Sequence, residues 1–278
     1  MKITDLAENL TPDSHGIWVT RTTQMKISYP DEGNREYFQI EDKSFWFKHR
    51  NNCIVAALNL YPPTGSVFDV GGGNGFVTRR LLDEGFEAAL IEPGPIGAYN
   101  AKTKRNIPNV FRATLEDCGF PEDSLSAIAL FDVLEHIEED GRFLTEVYTR
   151  LKPGGYLYIT VPAFEWLWSG SDISAGHYRR YNPEELVKIL NEHFNVLFIT
   201  CFFSVLVFPV LALRAAPYRL GFSTSTKTQA AAKEHGLSGG FAIKLIQRFL
   251  SSEAKQISSG KSNSTGTSCM CIAQKKIY

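Results

Sequence analysis

The chain has 278 residues, of which 44% are hydrophobic and 12% aromatic, with 29 Lys+Arg against 30 Asp+Glu. This composition excludes a disordered chain, a collagen-like repeat and a disulfide scaffold, and the length suits one large α/β domain with additions. A net charge of −1 argues against a nucleic-acid partner, because such proteins carry an excess of Lys and Arg. The charge is unevenly distributed, however, since residues 1–200 carry −9 and residues 201–278 carry +8.

The five cysteines form no C-x-x-C pair, so they predict buried thiols rather than a disulfide framework or a metal site. The N-terminal sequence MKITDLAENLTPD lacks the apolar stretch of a signal peptide, and a cytoplasmic location is therefore expected. No residue pattern indicates an oligomeric state. Residues 1–36 are polar and weakly periodic, whereas residues 41–60 predict a helix that ends before Pro62 and Pro63.

From residue 66 onward, short apolar runs alternate with helical patterns. The predicted strands span residues 66–70, 88–91, 110–113, 127–131, 156–161, the stretch up to about 203, and a closing strand at about 268–275. The predicted helices between them span residues 76–84, 96–106, 140–151 and 183–193. This alternation predicts a doubly wound α/β fold, with a mostly parallel seven-stranded sheet and helices on both faces. In such folds the ligand binds at the carboxyl ends of the strands.

Residues 196–213 carry no charge and allow two interpretations. One is a strand to about residue 203 followed by a buried helix kinked near Pro209; the other is a membrane-associated segment, because the run approaches the length of a membrane span. Farther on, Ser- and Lys-rich stretches surround one amphipathic segment at 241–250. The chain is thus divided into an N-terminal helical cap (1–52), a core (53–204, with the closing strand at about 268–275) and a mostly helical basic insertion (205–267).

The strongest functional signal is the run VFDVGGGNG at residues 67–75, a strand that ends in glycines before a helix. Glycines at such a point let a ligand approach the backbone closely, because no Cβ is in the way. A dinucleotide loop requires the spacing G-x-G-x-x-G, whereas here Phe76 occupies the position that must be small, so a pyrophosphate site is disfavoured. A P-loop is excluded, since no Gly-Lys-Ser/Thr follows.

Two acidic residues flank this loop. Asp69 would repel a phosphate, but it would attract an ammonium or sulfonium ion, which indicates a cationic ligand. Glu92, at the end of the next predicted strand, is placed to accept hydrogen bonds from the two hydroxyls of a ribose. Together they favour a cationic cofactor that contains a ribose.

Four segments resemble, in order, the motifs of class I S-adenosylmethionine-dependent methyltransferases. They are DVGGGNG at 69–75, IEP at 91–93, FDVLEHI at 131–137 and LKPGG at 151–155. The resemblance covers roughly residues 45–200 and the closing strand. It implies a Rossmann-like fold, S-adenosylmethionine as the cofactor and methyl transfer to an acceptor as the activity.

The same resemblance implies a set of cofactor contacts. These are Asp69, Gly71 and Gly73 at the methionine portion, Gly75 in the same loop, Glu92 at the ribose, Leu115 and Glu116 at the adenine, and Phe131 beside the cofactor. One position departs from the pattern, because Thr114 stands where many relatives have an aspartate that receives the adenine amino group. Recognition of the adenine is then left to the backbone of residues 115 and 116.

Methyl transfer needs a base only where the acceptor atom is protonated, and histidine is the natural choice near neutral pH. Two histidines follow strands whose carboxyl ends face the predicted cofactor site. His177, beyond the fifth strand, is the first candidate, either as the base or as a residue that contacts the acceptor. His136, within FDVLEHI, is the second, with organisation of its loop as the alternative role.

Residues 166–181 are unusually rich in large side chains for a connector. We interpret the segment as a wall of the acceptor site, formed by Trp168, Tyr178, Arg179 and Tyr181. Arg179 or Arg180 would pair with a carboxylate or phosphate of the acceptor, the alternative being a surface ion pair. The aromatic residues of 44–51 either close over the cofactor or pack against the sheet, and His49 is interpreted as a surface residue.

The acceptor implied is a small molecule or a lipid-linked or glycan-linked compound, methylated at oxygen or nitrogen. Two alternatives stay open: an NAD(P)-dependent Rossmann oxidoreductase, which Phe76 and Asp69 disfavour, and a non-catalytic module of the same fold, which the intact glycine loop and Glu92 disfavour. The basic charge beside the apolar run further predicts peripheral membrane contact through residues 196–219.

Overall fold

The computed structural model describes residues 9–20, 31–222 and 241–277. Its strands are β1 (Leu10–Pro12), β2 (Trp18–Thr20), β3 (Val67–Val70), β4 (Ala88–Ile91), β5 (Val110–Arg112), β6 (Leu125–Phe131), β7 (Leu151–Pro162), β8 (Phe194–Phe202) and β9 (Ser268–Lys275). Its α-helices are α1 (Asp31–Phe38), α2 (Phe45–Leu60), α3 (Phe76–Asp83), α4 (Pro95–Thr103), α5 (Asp140–Arg150), α6 (Gly170–Ala175), α7 (Pro183–Leu190), α8 (Val207–Val210), α9 (Ala216–Arg219) and α10 (Phe241–Ser258).

The strands form one sheet in the order β1-β2-β5-β4-β3-β6-β7-β9-β8. The strands from β2 to β7 in this order pair in parallel, whereas β1 and β9 pair antiparallel with their neighbours. The predicted count of seven strands is wrong, because the N-terminal segment adds β1 and β2 beside β5. Asp13 makes this hairpin, since its Oδ1 accepts hydrogen bonds from the backbone N–H groups of His15 (2.8 Å) and Ile17 (2.9 Å). The cap is therefore not purely helical.

Side chains that alternate along the strands build a core on each face of the sheet. On β7, Leu157 and Ile159 pack on the face that α5 and α7 cover, whereas Tyr158 packs on the opposite face with α2, α3 and α10. This arrangement confirms the predicted layers of helices on both faces. All five cysteines are buried and unpaired, as predicted.

Helix α2 spans the predicted boundary between residues 52 and 53. It begins after Ser44, whose Oγ accepts a hydrogen bond from the backbone N–H of Trp46 (3.2 Å). Its second half is buried against the sheet, and α10 packs along it. The interpretation of His49 as a surface residue is wrong: it is buried, and its Nε2 lies 2.7 Å from Oε2 of Glu253 on α10. That partner is 204 residues away in the sequence, so no local pattern indicates it.

The uncharged run 196–213 divides into two different parts. Its first residues complete β8 in the sheet, as predicted, and a short 3₁₀ turn (Ser204–Leu206) then leads into α8, a π-helical turn (Leu211–Ala215) and α9. The expectation of a buried helix is wrong, because Ala215 is the one residue between 207 and 222 that is fully buried. Among the described residues, no helix has the length and apolar character needed to cross a membrane. Residues 223–240 of the predicted insertion, and 1–8 and 21–30 of the predicted cap, lie outside the described residues.

Candidate functional site

The carboxyl ends of the parallel strands meet at one edge of the sheet, and the loops that follow them enclose a cavity of about 1500 Å³. The cap, these loops and the helical segment after β8 all contribute to its lining. Most of the predicted site residues line it: Asp69, Gly71, Gly73, Glu92, Leu115, Glu116, Phe131, His136 and His177. The sheet edge therefore brings together side chains that are up to about a hundred residues apart in the sequence.

The glycine loop between β3 and α3 has no space for side chains. A Cβ on Gly72 would lie 2.2 Å from Cδ1 of Leu90 and 2.7 Å from Oδ2 of Asp69. Gly75 does not line the cavity; it begins α3 with a φ of +76°, and a Cβ there would lie 2.3 Å from Cδ1 of Ile107. Gly75 thus serves the packing of the loop, while Gly71 and Gly73 face the cavity.

Asp69, at the end of β3, is fully buried at the floor of the cavity. Its Oδ2 accepts a hydrogen bond from Oγ1 of Thr78 (2.6 Å), whereas its Oδ1 has no hydrogen-bond partner among the described residues. Burial raises the pKa of Asp69 to about 6, although the Thr78 hydrogen bond and the charge of Arg50 oppose this shift. A buried, unpaired carboxylate oxygen fits a ligand that supplies a positively charged N–H donor.

Glu92, at the end of β4, ties the glycine loop to the start of α4. Its Oε2 accepts a hydrogen bond from the backbone N–H of Gly73 (2.8 Å), and its Oε1 accepts one from Gly94 (2.7 Å). Beyond β5, Thr114 lines the cavity, but its hydroxyl is used locally, because it donates to Oδ2 of Asp117 (2.8 Å). A carboxylate and a glycine loop at this spacing fit a ribose with an attached cationic chain.

A second set of polar residues lies beyond β6 and β7. Asp172 accepts hydrogen bonds from the backbone N–H of Ser169 (2.9 Å) and from Nε of Arg180 (2.8 Å), and Nδ1 of His177 lies 3.0 Å from its Oδ1. Burial would raise the pKa of Asp172, but the hydrogen bond from His177 and the charge and hydrogen bonds of Arg180 outweigh it, so its pKa lies below the ordinary value. Asp172 therefore fixes the imidazole through Nδ1, which leaves Nε2 of His177 as the proton acceptor.

His136 lies edge-on to His177, with the ring centroids 4.8 Å apart. Burial and the neighbouring His177 lower the pKa of His136 to about 4, so its imidazole is neutral near pH 7. Burial and the charge of Asp132 raise the pKa of Glu135 well above its ordinary value, and Oε2 of Glu135 has no hydrogen-bond partner among the described residues. Near pH 7, His177 thus lies between a neutral His136 and the ion pair of Asp172 and Arg180.

The predicted acceptor wall is wrong in its membership. Its four residues, Trp168, Tyr178, Arg179 and Tyr181, do not line the cavity. Arg179 pairs with Asp140 (2.7 Å), and the hydroxyl of the buried Tyr181 donates to the same carboxylate (2.8 Å), because a parallel bridge between Ala163 and Tyr181 turns this segment back onto the sheet. Arg180 does line the cavity, but Asp172 already neutralises its charge.

The sequence interpretation missed one ion pair of the cavity wall, between Arg50 on α2 and Asp132 after β6. Asp132 adopts a φ of +58° and also accepts a hydrogen bond from Oγ1 of Thr160 (2.9 Å). The guanidinium of Arg50 lies over the ring of Trp46, 5.3 Å from its centroid. The aromatic residues of 44–51 line the cavity and also pack against the rest of the fold. Asp132 lies inside FDVLEHI, which is the one local signal for the pair.

The family model for a methyltransferase domain matches residues 46–196, more than half of the chain. The chain belongs to the class I S-adenosylmethionine-dependent methyltransferases. Among curated relatives, a probable S-adenosylmethionine-dependent methyltransferase of Mycolicibacterium smegmatis is 23% identical over 172 residues, or 58% of this chain and 63% of the relative. An uncharacterized methyltransferase of Mycobacterium tuberculosis is 30% identical over 127 residues, or 44% of this chain and 49% of the relative. The matched region thus spans less than two thirds of the length of these methyltransferases.

Solved structures show the same fold. Phosphoethanolamine N-methyltransferase 2 of Haemonchus contortus, in complex with S-adenosyl-L-methionine, gives a TM-score of 0.54 at 16% identity, over 94% of this chain and 62% of that one. A methyltransferase of Archaeoglobus fulgidus gives a TM-score of 0.52 at 18% identity, over 86% of this chain and 99% of that one. The solved structures show the fold alone, whereas the family membership supports S-adenosylmethionine as the cofactor, as predicted.

The raised pKa of Asp69 predicts a pH-dependent affinity for the cofactor. We expect the binding of S-adenosylhomocysteine to weaken about tenfold between pH 7 and pH 5, because a carboxylate with a pKa of about 6 must lose its proton to hold the ligand's ammonium group. Isothermal titration calorimetry across this range measures the effect. Asp69→Asn is the control, and it should bind more weakly and without this pH dependence. Equal dissociation constants of the wild type at the two pH values would contradict the prediction.

Proposed function

We propose that this methyltransferase transfers the methyl group of S-adenosylmethionine to a hydroxyl oxygen of a lipid-linked acceptor. The observation that carries the proposal is the oriented His177, whose Nδ1 is held by the ionised Asp172 and which lines the same cavity as the glycine loop. A hydroxyl is a poor nucleophile until it loses its proton, so a positioned imidazole is what O-methylation requires.

On the donor side, we infer the contacts that the resemblance implies. Asp69 and the loop of Gly71 and Gly73 would hold the methionine portion, Glu92 the ribose, and Leu115 and Glu116 the adenine, with Phe131 alongside. When bound, S-adenosylmethionine supplies an electrophilic methyl group on a sulfonium ion. The buried position of Asp69 supports this assignment, because its Oδ1 has no partner among the described residues and would accept a hydrogen bond from the ligand's ammonium group.

On the acceptor side, Nε2 of His177 would take the proton of the attacking hydroxyl, and Asp172 would stabilise the imidazolium that results. His136 would remain neutral, because its pKa of about 4 keeps it from competing as a cation near neutral pH. Arg180 acts on Asp172 rather than on the substrate, since both of its contacts to that carboxylate are within 3.1 Å. The remaining contribution of the enzyme is to align the reacting atoms, which can supply several kcal/mol.

The apolar lining on one side of the cavity favours a lipid-linked acceptor over a small polar molecule or a glycan. Leu206, Pro209, Val210 and Leu213 line it from the helical segment after β8. A free sugar would bury little of this apolar surface, whereas an acyl or prenyl chain would remove it from water. We further propose that the enzyme works on the cytoplasmic side of a membrane. The division into a cap (1–52), a core (53–204 with the closing strand at about 268–275) and an insertion (205–267) stays a prediction, and α2 crosses its first boundary.

Two experiments test the proposal in sequence. A calorimetric titration should show binding of S-adenosylhomocysteine and no binding of NAD, and failure to bind the former would favour a non-catalytic module. A labelled-methyl transfer assay should then be run against lipid, polysaccharide and small-molecule extracts in parallel. We expect the label in the lipid fraction, in a base-stable and acid-stable ether linkage. Label in either other fraction would overturn the acceptor class and leave methyl transfer intact.

A further inference from the structure

The helical segment between β8 and the undescribed residues exposes an unusual amount of apolar surface. Its residues Phe208, Leu213, Leu220 and Phe222 are 76%, 71%, 73% and 66% exposed. Single exposed hydrophobic residues are ordinary, but four large ones within fifteen positions mark a surface that is covered in use. We call residues 207–222 the apolar ramp.

Neighbouring loops extend the apolar ramp. The π-helical turn within it packs against α6 and against the 3₁₀ turn Glu165–Leu167, where Ile173 and Trp166 are 55% and 37% exposed. Arg219 anchors the two segments, because its Nη2 donates to the backbone oxygen of Glu165 (3.4 Å). A tryptophan at the rim of an apolar surface is typical of proteins that sit at a membrane interface.

The charged residues within the apolar ramp are of one sign. Between residues 193 and 222 the chain has no Asp or Glu, whereas Arg214 and Arg219 lie within the ramp. The whole segment 201–278 carries +8 against −9 for the rest of the chain. A cationic apolar surface complements an anionic bilayer, which attracts Lys and Arg through its headgroups and accepts apolar side chains below them.

The apolar ramp is continuous with the cavity. Leu213 belongs to both, since it lines the cavity and is also largely exposed, and Pro209, Val210 and Arg214 line the cavity beside it. A chain that leaves the bilayer at the ramp would therefore enter the cavity without crossing water.

We propose that the apolar ramp docks the enzyme on an anionic membrane and admits the acceptor from it. The docking surface is 207–222 rather than the predicted 196–219, because residues 196–202 belong to β8 and pair with β9 in the sheet. The route for the acceptor rests on the proposed function, whereas the docking does not. Binding to vesicles requires no catalysis, so the two are tested separately.

The test is co-sedimentation of the full chain with vesicles of phosphatidylglycerol and phosphatidylcholine, and with phosphatidylcholine alone. We expect binding to the anionic vesicles, weakened by added salt, and a fall of at least about tenfold in affinity for the double variant Phe208→Asp, Phe222→Asp. Neither residue lines the cavity, so calorimetric binding of S-adenosylhomocysteine should be unchanged.

Ile277→Asp is the matched control, because Ile277 is 74% exposed and lies beside Gly154, near the amino end of the parallel strands and away from the cavity. It should bind vesicles like the wild type. Equal sedimentation of the wild type and the double variant, or no binding at all, would overturn the proposal. So would a dimer in light scattering that the double variant abolishes, since a second copy of the chain would then be the occupant of the ramp.

Discussion

Replacement of His177 by alanine is expected to lower kcat by about 10²- to 10⁴-fold on the acceptor that the transfer assay identifies. The physical reason is that His177 would be the group that accepts the proton of the attacking hydroxyl, and Asp172 already holds its ring through Nδ1 at 3.0 Å. The affinity for S-adenosylhomocysteine should stay the same, because the residues assigned to the cofactor lie at or just after the ends of β3, β4, β5 and β6, outside the segment that contains His177. Steady-state kinetics and calorimetry on the same preparation separate the two effects.

Two further variants distinguish a base from a structural residue. In His177→Asn the amide Nδ2 takes the place of Nδ1 and keeps the hydrogen bond to Asp172, yet no proton acceptor remains, so turnover should fall as far as in His177→Ala. His193→Ala is the control, since His193 lies outside the cavity and its ring pairs with Thr145 and Tyr148. Turnover retained in His177→Asn would end the base assignment, and the acceptor atom would then be one that needs no deprotonation.

The cofactor half of the cavity was predictable from the sequence because its residues lie in short local motifs. The run VFDVGGGNG contains both the carboxylate and the glycines, and Glu92 follows the next strand at the expected position. The carboxyl ends of parallel strands bring such loops to the same edge of the sheet, independently of the contacts made by the rest of the chain. The cavity accordingly includes Asp69, Gly71, Gly73 and Glu92.

The acceptor half was not predictable in the same way. Its geometry depends on ion pairs between residues that are far apart in the sequence, and on which of several neighbouring charged residues pair with each other. His177 was predictable, but the large side chains around it do not form a wall of the cavity, because Arg179 and the buried Tyr181 both bind Asp140. Asp172 had a local signature, since the spacing Ser169-x-x-Asp172 matches a capping box at the start of α6. For the Arg50–Asp132 pair, the motif FDVLEHI marks only Asp132, because its partner is 82 residues away in the sequence.

A similar limit explains two wrong predictions of burial, the buried helix expected after residue 203 and the surface position expected for His49. The strand to about residue 203 was predicted correctly, but hydrophobicity alone does not show that the residues after it are largely exposed, since β9 covers β8 and not those residues. The burial of His49 was not predictable, because its partner Glu253 belongs to α10. In both cases the deciding contact comes from the last forty residues of the chain.

The contact of Glu253 on α10 with His49 gives the largest expected effect on stability. We expect Glu253→Ala to lower the free energy of unfolding by about 3 to 5 kcal/mol, measured by urea denaturation. Glu253 is buried, and it accepts hydrogen bonds from the backbone N–H groups of Phe203 (2.7 Å) and Ser204 (3.0 Å), from the hydroxyl of Ser204 (2.7 Å) and at the 2.7 Å contact with His49. Removing the carboxylate leaves these buried donors without a partner.

The matched control is Glu192→Ala, an exposed glutamate whose loss should change stability by no more than about 0.5 kcal/mol. Burial alone would raise the pKa of Glu253, but the hydrogen bonds from His49, Ser204 and Phe203 outweigh it and lower the pKa. A carboxylate with a lowered folded pKa stabilises the protein above the ordinary glutamate pKa of about 4.3, and this stabilisation disappears as the pH falls through the folded value. The difference in stability between the wild type and Glu253→Gln should therefore shrink in acid. A Glu253→Ala protein within about 1 kcal/mol of the wild type would show that this carboxylate contributes little to holding α10 against α2 and against residues 203–204.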